Sequence, residues 1–257
     1  VRVWPIFKKE MRLYFTSPIA WVILVVFALV MGLFFWLQFS SFAFASMQSA
    51  MNPMMGRDLN VTDWVLRPVF FNTLSVILFL FLMPLITMRL FAEERRSGTL
   101  ELMLTYPVRD GAVLLGKFLA ALALYLVMLA LTLVYVVLVA WLASLEWGPL
   151  LTLYLGLILL GGAFLAVGTF ASTVTENQIV AALITGLVLL ALWIVGWPAD
   201  TVGGAWAKVL QHISVPDHVD SFAKGVLDTK DVLYFVDLTV VALFLSLKSL
   251  EARRWKG

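Results

Sequence analysis

RLFAEERRSGTLELMLTYPVRDGAVLLGK, residues 89–117, is the stretch that decides the architecture. It is a dense mixture of both charge signs set between two apolar runs, 68–88 and 112–142, each long enough to cross a bilayer at 1.5 Å per helical residue. It therefore reads as a loop at a membrane surface and not as part of a soluble core. Glu93, Glu94, Arg95 and Arg96 are good helix formers that carry the preceding span into water, and Gly98 stops it just past its end. A second, short helix follows. Thr99 is its expected N-cap and Glu101 stands in the first turn, where a carboxylate favours the positive end of the macrodipole. Leu100, Leu102, Met103 and Leu104 supply apolar contacts, and Pro107 bars continuation because it lacks an N–H and restricts Tyr106. A helix of roughly two turns is not stable alone, so it has to dock on its own bundle or on a partner.

Composition sets the class. Of 257 residues, 62% are hydrophobic and 13% charged, against roughly a quarter charged in globular domains, and the mean hydropathy is +0.99. The chain reads as an all-α polytopic membrane protein forming a single transmembrane domain over 1–257. It has no cysteine, which excludes a disulfide framework and a thiolate metal site, and a formal charge of +2 gives no case for nucleic acid.

Outward from the central loop, six spans are expected, at about 18–38, 68–88, 112–142, 150–172, 178–197 and 232–250. Before them, 1–17 places apolar residues at 3, 4, 7, 11, 14 and 15 with Arg2, Lys8, Lys9 and Arg12 mostly elsewhere on the wheel, which is an interfacial amphipathic helix or a basic flank that fixes topology. Ala43-Phe44-Ala45 mimics a signal-peptidase site, but the apolar run before it is too long for a signal peptide, and no cleavage is expected. Segments 39–67 and 198–231 are expected as external loops, with 89–111 internal. The four methionines Met47, Met51, Met54 and Met55 read as loop packing rather than a soft-metal site. Pro84 should kink the second span. Glu146-Trp147-Gly148-Pro149 reads as a tight turn, and the small residues Gly156, Gly161, Gly162, Ala163, Ala166 and Gly168 place the fourth span inside the bundle. Within 198–231, Val202 to Ile213 reads as a short amphipathic helix.

Several apparent sites fail on context. Gly111 to Lys117 spells G-x-x-x-x-G-K, yet Phe118 stands where a Ser or Thr would hold Mg²⁺ and no strand precedes it, so no ATP site is assigned. His212 and His218 are six apart, not the four of a helical zinc pair. Asp237 is the one carboxylate expected within a span, near its outer end, where a role in function and a contact with the outer loops are both open.

An even number of spans puts both termini on one side, and the distribution of Lys and Arg chooses it. Arg2, Lys8, Lys9, Arg12, Arg89, Arg95, Arg96, Arg109, Lys117, Lys248, Arg253, Arg254 and Lys256 fall on one side, and Arg57, Arg67, Lys208, Lys224 and Lys230 on the other. Thirteen against five makes the termini and the central loop cytoplasmic. Trp36, Trp64, Trp141, Trp147 and Trp197 near outer boundaries, with Trp4, Trp21 and Trp255 near inner ones, form aromatic belts.

The pattern Glu93-Glu94-Arg95, Gly98-Thr99-Leu100-Glu101-Leu102, Pro107 and Gly116-Lys117 resembles the first cytoplasmic loop of ABC type-2 transporter permease subunits, more narrowly the gliding-motility and nitrous-oxide-reductase-maturation group. KKEMRLYFTSPIAW near the N-terminus, and FAKGVLDTKDVLYF with LEARRW near the C-terminus, extend the resemblance over nearly the whole chain. It implies an elbow helix at the N-terminus and a coupling helix in the loop, with Glu93, Glu94, Gly98, Thr99, Glu101, Leu102, Met103 and Pro107 as the ATPase-coupling residues. It also implies a bacterial cytoplasmic (inner) membrane location, an ABC ATPase dimer holding ATP and Mg²⁺, a second permease copy or homologous permease, and an extracytoplasmic accessory protein among the possible partners. The chain itself would carry no catalytic site, cofactor or metal. From the residues alone, a six-span structural or assembly subunit or a channel without an ATPase stays open beside the exporter permease. A channel should show a charged or carbonyl-lined filter, which the sequence lacks.

Overall fold

The computed structural model describes residues 3–51, 60–99, 109–143 and 145–254, and among them every regular element is a helix. Helix α1 (Val3–Thr16) is followed after Ser17 by α2 (Pro18–Met51). A π-helical turn (Thr62–Leu66) runs into α3 (Arg67–Phe71), α4 (Thr73–Thr87) and the short α5 (Ala92–Arg96). Then come α6 (Asp110–Leu142), α7 (Trp147–Val174), α8 (Gln178–Ile194), α9 (Ala199–Val202), α10 (Gly204–Ile213), α11 (Val215–Ala223) and α12 (Thr229–Arg254).

Among the described residues, five helical stretches are long and apolar enough to cross a membrane: Pro18–Met51, Thr62–Arg96, Asp110–Leu142, Trp147–Val174 and Thr229–Ala252. Gln178–Ile194 is as apolar but has 17 residues, about 25 Å of helix. The hub is α7, which packs against α12, α8, α11, α4 and α6. Its glycines explain how. A side chain at Gly156 would strike Phe222 of α11, one at Gly161 would strike the Tyr125 ring of α6, and one at Gly168 would strike Thr87 at the end of α4. The expected burial of this span in the bundle is therefore observed, with Leu157, Ala163, Leu165 and Ala166 fully covered.

Four local expectations are corrected. Helix α2 does not end near 38 but continues to Met51, 34 residues and about 51 Å, so the first part of the expected loop 39–67 is helical. No breaker stands before Asn52-Pro53, and Phe39 and Phe42 gain a second apolar cluster made by Val61, Val65, Leu66, Val136, Val139 and Leu150. The second span is divided at Asn72, whose backbone is extended (ψ 161°) and whose side chain accepts from the Ser75 amide at 2.8 Å to start α4. Pro84 lies inside α4, which continues to Thr87; the chain turns afterwards, over Met88 to Phe91. Trp147, Gly148 and Pro149 open α7 instead of forming a free turn. The expected helix at 202–213 begins at Gly204, because Gly203 and Gly204 both take φ of +64°.

Charged groups collect at the two ends of the bundle. One end holds α1, α5, the start of α6 and the ends of α7 and α12, tied by ion pairs such as Arg95 to Glu176 at 2.6 Å. The other holds Arg67 and Asp220, 3.2 Å apart, with α10, α11 and the start of α12.

Candidate functional site: a buried charge knot beneath the central loop

Helix α1 packs chiefly on the first turns of α6, and two adjacent residues of α6 make that possible. Gly116 leaves room for Ile6, since a Cβ at 116 would lie 2.8 Å from its Cγ2. Lys117, 1% exposed, sends its ammonium to Glu10 Oε1 of α1 at 2.9 Å and to Glu94 Oε2 of α5 at 3.0 Å, with the Phe91 ring centroid 5.2 Å away. Lys9 closes the knot from the water side, 2.9 Å from Glu94 Oε1 and 3.5 Å from Glu10 Oε1. Two cations and two carboxylates from three separate elements thus share one site. Such an arrangement is tolerable in a low-dielectric surrounding only because each charge has an opposite partner.

Around the knot, hydrogen bonds fix the turn between α4 and α5. Ser172 of α7 accepts from the amides of Phe91 and Ala92 at 3.0 and 3.1 Å and donates to Met88 O at 3.1 Å, so one buried hydroxyl serves three backbone groups. Arg89 donates from Nε to Glu93 Oε2 at 2.8 Å and from Nη1 to Ser17 Oγ at 3.0 Å, joining the α1–α2 corner to α5. Arg95 donates to Thr173 O at 3.3 Å as well as to Glu176. Tyr14 donates to Ile86 O at 2.9 Å; burial above all, with the charge of Glu10, pushes its phenol pKa up. A cavity of about 410 Å³ lies beside the knot, with Glu10, Arg89, Glu93 and Lys117 at its polar side and Ile23 and Leu85 at its apolar side.

For Lys9, burial is the largest single influence and works to lower the pKa, but the Glu94 hydrogen bond and the charges of Glu94 and Glu10 together outweigh it. The ammonium ends above its ordinary value.

Of the residues expected to couple to an ATPase, Glu93, Glu94, Gly98 and Thr99 are brought together here. Gly98 takes the left-handed φ of +69° expected of a helix stop, and Thr99 donates to Glu94 O at 3.3 Å. Glu101, Leu102, Met103 and Pro107 lie outside the described residues, as does the rest of 100–108. Glu93 takes Arg89, and Glu94 takes Lys9 and Lys117. Lys117, in the G-x-x-x-x-G-K string, stands in the body of α6. His218 pairs with Asp231, and Asp237 is exposed on α12 with no hydrogen bond or ion pair among the described residues.

The sequence reading missed Glu10, Ser172 and Glu176, and gave Lys117 no structural role. A signal for the first existed. Positions 3, 7, 10 and 14 lie on one face of α1, so an acid at 10 sits on an apolar stripe.

This geometry suits a bundle in which a surface loop is wired to the spans, and residues 4–253 match the family model described as ABC-2 family transporter protein. The chain belongs to that family. No curated protein matches it. It is accordingly a membrane-embedded permease component of an ABC transporter, and membership implies an ABC ATPase partner and a paired permease. In this chain the knot lies where α5, leading into the central loop, is gripped by α1 and α6.

Proposed function

We propose that this chain is the permease subunit of an ABC exporter in the bacterial cytoplasmic membrane, working as a dimer or with a homologous permease on a separate ATPase dimer that holds ATP and Mg²⁺. Helix α8 with residues 195–197 makes a sixth crossing, short enough to thin the bilayer locally. Both termini and the knot are cytoplasmic, and α1 is an elbow lying in the inner leaflet. The loop around Gly98, Thr99, Glu101, Leu102, Met103 and Pro107 meets the ATPase.

The observation that carries this reading is Lys117, buried between Glu10 of α1 and Glu94 of α5. When ATP closes the ATPases, the loop is pushed and α5 with it. Pulling α5 away would part Glu94 from both Lys9 and Lys117 and leave two cations sharing the one carboxylate of Glu10, so α1 and the start of α6 move together with α5. Ser172 and Arg95 pass the displacement to α7, the hub on which the other spans pack. Glu93 and Glu94 therefore act through the bundle and not by touching the ATPase.

The test is ATP hydrolysis by the reconstituted chain, alone and with its ATPase. The chain alone should hydrolyse nothing; with the ATPase, hydrolysis should be stimulated in the parent and lost in Glu10→Leu/Lys117→Met, which removes the buried tie of α6 to α1 and α5 and leaves only the Lys9–Glu94 pair. Hydrolysis by the pure chain, or full stimulation in that variant, refutes the reading.

A further inference from the structure

At the other end of the bundle, three elements meet on one imidazole. His218 of α11 is 6% exposed. Its Nδ1 is 2.7 Å from Asp231 Oδ1 of α12, its Nε2 is 3.0 Å from His212 O at the end of α10, and its ring stacks on Tyr234 of α12 with centroids 4.0 Å apart. Tyr234 in turn donates to Ile213 O at 2.6 Å. Asp231 is fully buried, and among the described residues no donor reaches its other oxygen.

Both ring nitrogens of His218 thus face oxygen acceptors. A neutral imidazole carries one N–H, so it can serve only one of them. With the hydrogen on Nε2, the Nδ1 lone pair would face a carboxylate at 2.7 Å; with it on Nδ1, the Nε2 lone pair would face a carbonyl. Either arrangement leaves one buried contact between two acceptors, which costs free energy instead of supplying it. A second proton, shared between Nδ1 and Oδ1, satisfies every contact at once.

We propose that His218 and Asp231 form a proton-loaded latch that holds the α10–α11 segment onto α12, and that loss of this proton as the pH at that surface rises releases the segment. The docked state is complete at low pH and is lost on going to high pH. On the orientation proposed above, the latch senses the extracytoplasmic medium. The surrounding charges are few. Asp228, held as a carboxylate by the backbone amide and ammonium of Lys230, faces the imidazole, and Lys230 acts on Asp231 from beyond that pair. The His212 ring stands edge-on at 5.8 Å. On α11 itself Asp217 is exposed, and Asp220 is taken up by Arg67 and Lys224. The helices packed behind α11, α7 and α8, carry no charged side chain. Asp231→Asn provides a sharp contrast: its amide can donate to Nδ1 while Nε2–H still serves His212 O, so a neutral His218 is satisfied at any pH.

The chain lacks cysteine, so one introduced thiol is unique. In the full chain in lipid bilayers, alkylation of Ala223→Cys, a buried site on α11, is measured relative to that of Val226→Cys, an exposed one, from about pH 5.5 to about pH 8.5. The ratio should rise with pH, by up to about tenfold per unit for one linked proton, and stay low and flat in Asp231→Asn. A flat ratio in the parent, or the same rise in Asp231→Asn, overturns the latch. Should Asp231→Asn not fold, ¹⁵N spectra of the two histidines in the parent decide: His218 doubly protonated at low pH and losing its second proton within this range supports the latch, and one neutral tautomer throughout refutes it.

Discussion

Glu10 and Lys117 are each unusual for the helix face they occupy, and each is accounted for first by the other, with Glu94 and Lys9 completing the site. Removing one partner of a buried ion pair typically costs about 3–5 kcal/mol, whereas replacing both by apolar groups is often near neutral. Glu10→Ala or Lys117→Met should therefore lower the apparent Tm in detergent markedly, and Glu10→Leu/Lys117→Met should recover most of it; equal losses in all three would remove the pairing from the account. Lys9 gives a pH prediction. Its folded-state pKa is raised, so its contribution to holding α1 is fully present below the ordinary lysine value and is lost only as pH climbs through the higher folded value. In NMR of reductively methylated protein, the Lys9 signal should titrate above the ordinary lysine range, and a midpoint at or below it contradicts the contact with Glu94. Helical spacing puts Glu10 on the stripe 3, 7, 10, 14 and Lys117 on the buried row 113, 117, 121, 124, so two opposite charges on two apolar faces were visible. That they meet each other, and Glu94, depends on how α1 folds back over α6, which no local pattern encodes.

Among the elements, α7 is where close packing sets stability. Gly161 lies against Tyr125, whose hydroxyl donates to Leu157 O at 2.7 Å, while Gly162 has open space around its missing Cβ. Gly161→Ala should overpack this contact and cost about 1–3 kcal/mol, and Gly162→Ala should be neutral or stabilising by up to about 1 kcal/mol; the comparison is read from apparent Tm, and equal effects would contradict the packing. Helix existence was legible because long apolar runs bounded by charge leave no other structure open in lipid. Helix limits were less so. The second span is divided at Asn72, a polar side chain that takes over an amide and starts a new helix, a break that its apolar surroundings do not announce. The continuation of α2 past residue 38 goes with Phe39 and Phe42 meeting Val61 and Val139 from distant segments, contacts that a composition-based loop reading cannot include.

The whole molecule is a bundle with two charged ends, and its function turns on which end faces the cytoplasm. Arginine or lysine at a bilayer centre costs about 2.5–3.5 kcal/mol each, so α1, with Lys8, Lys9 and Arg12, should lie along the inner leaflet. A cysteine at Val3 should resist membrane-impermeant thiol reagents in intact cells and react once the inner face is opened; labelling from outside would invert the orientation. Family membership supports the coarse reading, a membrane permease, and the residues of the central loop carry the finer one. The measurement that tests it most directly is co-purification of the chain with an ABC ATPase from detergent-solubilised membranes, comparing the parent with Glu101→Ala/Leu102→Ala. The account predicts that the ATPase stays bound to the parent and is weakened or lost in a double variant that still inserts normally. An ATPase held equally by both, or by neither, would contradict a coupling contact at this loop.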